Sequence, residues 1–411
     1  MVQNKKTILE VVGRNAVHPF PARMAPDIAL KAIAGLDDSA RLLDPMMGSG
    51  TVLAIARFQG HRVIGVDSDP LAVLLARVWT TTIDADAVLE KASEVLKRAR
   101  IMFRSLTFGN AYPGKADAET RKFLRYWFDG YARRQLLALA TSIKRVHDER
   151  IRGVLWCAFS RLIIAKQAGA SLAMDLSHSR PHRRFKQAPI KPFNKFLKAV
   201  DMVVSNCPQR GAEQLGPPAK VTEGDARRLD IDNDSIDIVV TSPPYLNAID
   251  YLRCSKFSLV WMGYNLSELR RIRGSNIGAE SASPEATAAK WVQSVIKNLR
   301  LRPRLIGREQ NLLSQYIWDM DQAISETARV LRSGATAIYV VGDSTIKGTF
   351  VRNSRIVFTL ARRHGLSLVS RHSRALPANR RYLPPPSAGS DDSALDSRMR
   401  REVVMEFRKV A

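Results

Sequence analysis

Ser242-Pro243-Pro244-Tyr245 is the stretch of this 411-residue chain whose residue types best suit chemistry. A serine hydroxyl, a carbonyl with no competing N–H beside it and a flat aromatic ring stand within four positions. The exocyclic amine of a nucleobase is a poor nucleophile, because its lone pair is delocalised into the ring. Acceptors that hold its N–H groups out of the base plane restore part of that lone pair. Ser242 Oγ and the carbonyl of Pro243 are such acceptors, and Tyr245 offers a face on which a base taken out of a duplex can stack. The plain alternative is a proline turn with Tyr245 as a packing residue.

A second stretch points to a nucleoside. Asp44-Pro45-Met46-Met47-Gly48-Ser49-Gly50-Thr51 lies between a short apolar strand, Arg41 to Leu43, and an apolar helix from Val52 to Phe58. Glycines in such a turn let a ligand approach backbone that carries no Cβ, at a helix N-terminus. The spacing is neither the Walker pattern nor a full dinucleotide fingerprint. The next strand, Arg62 to Val66, ends at Asp67, an acid placed to take two ribose hydroxyls.

The elements that must position these residues follow from periodicity. Ser235 to Val240 alternates and then runs apolar, the pattern of a buried strand. Two prolines cannot continue that strand, so Ser242 and Tyr245 are presented at its carboxyl end, where open α/β sheets bind ligands. Helices are predicted over 26–34 and 71–79. From about residue 80 to 220 the βα alternation stops, and 84–104, 119–131, 134–146 and 152–165 read as amphipathic helices. The sheet resumes near Val221, with Asp225 ending the third strand as an acceptor for an adenine amino group. Asn247, Asp250 and Tyr251 either shape the same pocket or cap a helix running to Trp261. Residues 265–310 read as a mobile cover, a DNA-contacting loop or a linker. A helix over 310–331, a turn at Arg332-Ser333-Gly334, a strand over 335–341, a helix over 350–363 and strands over 366–370 and 403–407 complete the chain. Residues 376–398, rich in Pro, Ser, Asp and Arg, read as mobile. The expected fold is α/β, a Rossmann-like doubly wound sheet with a large helical insertion. Its parts are residues 1–80, the insertion at 81–219, and residues 220–411.

Charge narrows the partners. The chain carries 64 Lys and Arg against 39 Asp and Glu, a net charge of +25, and such a surplus attracts polyanions, above all nucleic acid. Residues 111–200 hold 19 of the basic and 6 of the acidic side chains. Arg180, Arg183, Arg184 and Lys186, among turn formers, suit contacts to a nucleic-acid backbone, as do Arg270, Arg271 and Arg273. A solvated basic surface is the plain alternative. Cys157, Cys207 and Cys254 are far apart and odd in number, which points to neither a disulfide framework nor a metal cluster. The histidines lack metal-site spacing, so no metal is expected. With no signal peptide and no apolar run of membrane length, a cytoplasmic protein is expected.

Taken together, Asp44 to Thr51, Asp67 and Ser242 to Tyr245 resemble the S-adenosylmethionine-dependent DNA amino-methyltransferases, over roughly residues 15–80 and 220–410. The Ser-Pro-Pro-Tyr form, rather than Asp-Pro-Pro-Tyr, is similar to the branch that methylates cytosine at N4. The resemblance implies that Asp44, Pro45, Gly48, Ser49, Gly50 and Thr51 carry the methionine end of S-adenosylmethionine, Asp67 its ribose and Asp225 its adenine. The segment from His18 to Arg23 is similar to the element that closes over that cofactor, with Phe20 at its tip. Ser242, Pro243, Pro244 and Tyr245 would be catalytic, acting on a base flipped out of double-stranded DNA. The resemblance also implies a restriction-modification setting with a cognate endonuclease; the oligomeric state is not implied. Thr241 departs from an acidic neighbour, so the product's proton would go to water. An N6-adenine enzyme, an RNA methyltransferase and a non-catalytic nucleic-acid binder on the same fold are the rival readings. A carbon-methylating cytosine enzyme needs a Pro-Cys nucleophile, and Asn206-Cys207-Pro208 has the reverse order.

Overall fold

The apolar run before Ser242 is the central strand of a seven-stranded sheet. A computed structural model describes residues 6–20, 23–37, 39–176, 181–211, 215–246, 252–279, 283–375 and 401–410. The sheet strands are β1 (Arg41–Asp44), β2 (Arg62–Asp67), β3 (Lys220–Glu223), β4 (Ile236–Thr241), β5 (Leu331–Gly342), β6 (Leu366–Ala375) and β7 (Arg401–Lys409). Their order is β3-β2-β1-β4-β5-β7-β6. Neighbours from β3 to β5 pair in parallel, and β7 runs antiparallel to both β5 and β6. The order reverses between β1 and β4. The crevice at such a switch point is where doubly wound sheets hold ligands, and here it separates the glycine turn from the Ser-Pro-Pro-Tyr loop.

Both faces of the sheet are covered, which is why its strands are nearly continuous apolar runs. Leu42, Val63, Ile238, Val240, Ile338 and Val340 pack on one face with the helices Pro26–Ile33 and Thr51–Phe58. Leu43, Val66, Val239, Tyr339 and Phe407 pack on the other, against the helices Gly307–Val330 and Asn353–Arg363. The insertion adds helices Ala85–Phe103, Ala118–Trp127, Gly130–Lys144, Glu149–Ile163 and Pro192–Val204. The first four start behind an aspartate: the side chains of Asp84, Asp117, Asp129 and Asp148 accept backbone N–H groups of the first turn. The insertion's core runs on into Leu71, Leu75 and Trp79 of the helix Pro70–Thr80 and into Phe257 and Trp261 of the helix Leu252–Met262. It is therefore packed onto the sheet domain rather than tethered to it.

Four local expectations change. Asp129 caps a new helix, so the helix expected over 119–131 ends at Trp127. The segment 265–310 contains the helices Leu266–Ser275, Pro284–Ala288 and Lys290–Leu299 rather than an open loop or linker. Val292 is buried and Trp291 stacks on Trp318 at 5.7 Å, apolar anchors that the polar composition concealed. The turn expected at Arg332-Ser333-Gly334 is a bulge within β5. Between two register points β4 advances from Ile236 to Ile238 while β5 advances from Leu331 to Thr336, with Gly334 at φ 75°. Phe350 belongs to a hairpin of Ser344–Ile346 with Thr349–Val351, and the helix begins at Asn353. The expected mobile segment 376–398 lies outside the described residues.

Gly50 shows how tightly the helix Thr51–Phe58 is set. Its φ is +84°, and a Cβ there would stand 2.8 Å from the Cβ of Ala76. A Gly50→Ala change therefore combines backbone strain with a steric clash. It is expected to lower unfolding free energy by about 2 kcal/mol or more in urea titration.

Candidate active site

The switch point is tied together by carboxylates. Asp44 ends β1 and Thr241 ends β4, and the Thr241 hydroxyl donates to Asp44 Oδ1 at 2.8 Å. The N–H of Met46 donates to the same oxygen at 3.2 Å. Asp67, at the end of β2, accepts the N–H of Gly48 at 2.8 Å and that of Asp69 at 2.9 Å. Met47 N–H donates to Val66 O at 3.0 Å. The glycine turn is thus fastened to the end of the neighbouring strand. Ser49 is buried, and its hydroxyl has no hydrogen-bond partner among the described residues. Asp69 caps the helix Pro70–Thr80 through Leu71 N–H at 2.8 Å and accepts the Ser255 hydroxyl at 2.7 Å.

Across the crevice the Ser242 hydroxyl donates to the carbonyl of Val340 at 3.0 Å. With its proton committed there, Ser242 Oγ faces any further partner as an acceptor. The carbonyl of Pro244 accepts from the Tyr316 hydroxyl at 3.1 Å. Pro243 and Pro244 have no N–H, so the loop leaves the sheet without orphaned donors.

The two sides meet in one cavity of about 740 Å³, within the size range of small-molecule sites. Its wall takes in the turn from Asp44 to Ser49 with Thr51, the acids Asp67, Asp69 and Glu223, and Ser242, Pro244 and Tyr245. Phe20, Arg23, Arg253, Arg270, Arg273 and the stretch from Asn276 to Ala279 close it from other sides. Burial raises the carboxyls at its floor. Asp44 is pushed up to about 7, opposed by the Thr241 and Met46 hydrogen bonds and assisted by the charge of Asp67. Asp69 is likewise pushed up to about 7 by burial and then by Asp67. Asp67 is raised by burial too, with its backbone N–H partners pulling the other way.

Of the residues predicted to hold a cofactor, Phe20, Asp44, Pro45, Gly48, Ser49, Thr51, Asp67 and Asp225 line this cavity, and Gly50 does not. Gly50 packs on Ala76 instead and serves the turn's geometry. Asp225 does not end β3; Glu223 does, and it is on the wall as well. The Asp225 carboxylate is engaged by Arg227, at 3.0 and 3.1 Å from Nε and 2.6 Å from Nη2. Of the loop residues, Pro243 is buried and off the cavity wall, so the structure places Ser242, Pro244 and Tyr245 there without it. Arg270 and Arg273 reach the cavity, whereas Arg271 is exposed elsewhere on the helix Leu266–Ser275. Arg183 lies in a short hairpin with its guanidinium 5.3 Å from the ring of Tyr126, and Arg184 and Lys186 are exposed beyond it. Arg180, Asn247, Asp250 and Tyr251 lie outside the described residues. Sequence reasoning missed Asp69, Glu223, Arg253 and the stretch from Asn276 to Ala279; none stands in a motif of its own, and the last is brought to the wall by the fold from far along the chain.

No protein-family model matches the chain. It is 23% identical over 384 residues to the type II methyltransferase M.MvaI of Kocuria varians, covering 88% of this chain and 84% of that protein. The chain is similar to type II methyltransferases. The type II methyltransferase M.MjaII of Methanocaldococcus jannaschii is 20% identical over 414 residues, covering 80% of this chain and 72% of its own length. Among solved structures, an S-adenosylmethionine-dependent methyltransferase of Methanosarcina mazei covers 91% of this chain and 94% of its own, at 10% identity and a TM-score of 0.32. That superposition is too loose to argue from, and the fold rests on the strand order itself. Among the described residues no helix is long and apolar enough to cross a membrane.

The raised Asp69 carboxyl gives a pH signature. It stays protonated in the folded chain up to about 7, while the unfolded chain ionises near 4. Its stabilising contribution is therefore complete below pH 4 and is lost as pH rises through 7. Asp69→Asn keeps an acceptor for Leu71 N–H and removes that slope. The melting temperature of the variant minus that of the parent is expected to rise by a few degrees between pH 4 and 7.5.

Proposed function

We propose that this chain is a DNA methyltransferase, moving a methyl group from S-adenosylmethionine to the exocyclic N4 amine of cytosine in double-stranded DNA. The observation that carries the reading is the cavity itself: a glycine turn with buried acids and a Ser-Pro-Pro-Tyr wall face each other across one switch point. The residues suit the cofactor. Ser49 brings a buried hydroxyl that has no partner among the described residues, Gly48 admits close backbone approach, and Asp67 and Glu223 stand at adjacent strand tips. When bound, the cofactor supplies an electrophilic methyl on a sulfonium. The carboxyls of Asp44, Asp67 and Asp69, raised by burial, would ionise more readily beside such a cation and then hold it by Coulomb attraction in a site poor in water.

For the acceptor base, Ser242 Oγ takes an N–H of the exocyclic amine, since its own proton is given to Val340. Tyr245 supplies the stacking face for the flipped ring. No covalent enzyme intermediate is needed, so positioning and hydrogen bonding carry the catalysis. Phe20 and the Asn276 to Ala279 stretch keep water from the reacting atoms. The basic side chains Arg183, Arg184, Lys186, Arg270, Arg271 and Arg273, with Arg180, form the proposed contact to the DNA backbone. A cytoplasmic location and a cognate endonuclease belong to the same proposal, by way of the type II relatives.

The test is methyl transfer from labelled S-adenosylmethionine to unmethylated DNA, with the digested nucleosides identified by mass. N4-methyldeoxycytidine is expected. N6-methyldeoxyadenosine would keep the chemistry and overturn the base, and label appearing in RNA alone would overturn the substrate. Ser242→Ala is expected to lower turnover by about 100-fold or more while cofactor binding, followed by calorimetry, stays unchanged. Parent-like turnover in that variant would remove Ser242 from the mechanism.

A further inference from the structure

One helix stands behind the cavity and holds two of its walls. On Gly307–Val330, Tyr316 and Asp319 are one turn apart and buried, with relative exposures of 0% and 1%. The Tyr316 hydroxyl donates to the carbonyl of Pro244 at 3.1 Å. That bond fixes the peptide plane between Pro244 and Tyr245, and with it the path by which the Tyr245 ring enters the cavity. The ring of Tyr316 is also the surface on which the cover rests. Gly278 sits at φ +73°, and a Cβ there would lie 3.1 Å from Cδ2 of Tyr316.

Asp319 holds the same glycine from one turn further on. Its Oδ2 accepts the Gly278 N–H at 3.0 Å, and its Oδ1 accepts Arg227 Nη1 at 2.7 Å and Gln315 Nε2 at 2.9 Å. Arg227 also donates to the carboxylate of Asp225 and to the carbonyl of Ser275 at 2.5 Å, the residue that ends the helix beneath the cover. A buried aspartate shared among a backbone N–H, a guanidinium and a side-chain amide is over-determined, so the cover has one seat. A tyrosine present only to fill the core would need neither the bond to Pro244 nor the contact with a left-handed glycine.

We propose that Tyr316 and Asp319 are positioning residues that hold the Ser242–Tyr245 loop and the Asn276–Ala279 cover in register with each other. The inference rests on the methyl-transfer reading above for its catalytic consequence. The two walls are then anchored side by side on one helix, the loop through Tyr316 and the cover through Asp319. Neither side chain is on the cavity wall, so both act through the residues they hold.

Tyr316→Phe removes one oxygen and leaves the packing. Its kcat is expected to fall about tenfold, with cofactor Kd and the KM for DNA within about twofold of the parent. The amides of Tyr245 and Leu246 are expected to exchange faster with deuterium in the cofactor-free protein. Asp319→Asn and Gly278→Ala are expected to spare those amides, to speed exchange across residues 275–279 and to weaken cofactor binding about fivefold. Gly278→Ala leaves the buried charge intact, so it tests the cover even where Asp319→Asn does not fold. Parent-like kcat and parent-like exchange at Tyr245 in Tyr316→Phe would overturn the proposal, as would exchange unchanged at 275–279 in Gly278→Ala. A parent protein that methylates no nucleic acid would reject the proposed function instead. The exchange measurements, made without cofactor or DNA, would still decide whether the helix holds the two walls.

Discussion

The hydrogen bond from Thr241 to Asp44 joins the two strand ends from which the rest of the site is built. β1 and β4 share only a short ladder, Leu42 with Ile238 and Leu43 with Val239, before their chains part. Past that point nothing in a sheet requires the two carboxyl ends to keep a fixed separation. A buried hydrogen bond to a carboxylate is worth roughly 1.5–3 kcal/mol, enough to set the crevice width without a longer ladder. The same Asp44 oxygen also takes the N–H of Met46, so the first residues of the glycine turn are oriented by the group that spans the crevice. The turn on one side and the proline loop on the other are therefore placed relative to each other by a single carboxyl.

Charge is arranged in two layers of opposite sign. The chain as a whole is strongly basic, yet the floor of its cavity carries Asp44, Asp67 and Asp69, each raised by burial and the first and last also by Asp67. The other walls carry Arg23, Arg253, Arg270 and Arg273. Clustered acids in a desolvated place are unfavourable until a cation arrives, and an arginine-lined opening is suited to an anion. Under the proposed reaction the two substrates have those charges. Asp44, Asp67 and Asp69 would then hold the cationic end of the cofactor, and Arg23, Arg253, Arg270 and Arg273 would face the phosphates of the nucleic acid.

Much of the sheet was legible in the sequence, because β1, β2 and β4 are short apolar runs ended by Asp44, Asp67 and the Pro-Pro pair, and each terminator has a local physical reason. The glycine turn was legible for the same reason. Gly50 read as a ligand-approach glycine, whereas its absent side chain makes room for Ala76; local sequence states that no side chain fits but not which neighbour forbids it. Asp225 was taken for the strand-ending acid because Glu223-Gly224-Asp225 offers two candidates within three residues. Only pairing with β2 shows that the strand stops at Glu223. The 265–310 segment is polar on average, yet Trp291, Val292, Val295, Ile296 and Leu299 fall at helical spacing and form the packed face of Lys290–Leu299, a periodic signal that the average hides. Trp291 stacks on Trp318, and Gly278 is held by Asp319. The contact at Gly278 leaves no periodic trace in the segment it folds.

The Ser242–Tyr245 loop also shows why a serine stands where an acid would be a stronger acceptor. On the side away from the cavity, the position faces the carbonyl of Val340, which takes the hydroxyl proton. An ionised aspartate there would set a carboxylate oxygen against a carbonyl oxygen in a part-buried place, with no proton to share, and would have to turn away or bind a proton itself. A hydroxyl, unlike a carboxylate, offers a donor to the sheet and an acceptor to the cavity from the same atom. Pro244 repeats the division one step later, its carbonyl held by Tyr316 and its missing N–H leaving nothing to compensate. The loop is thus fixed on the side of β5 and the Gly307–Val330 helix and open on the side of the cavity. The choice between serine and aspartate at position 242 is thus constrained by the Val340 carbonyl behind the loop as well as by whatever the loop meets in the cavity.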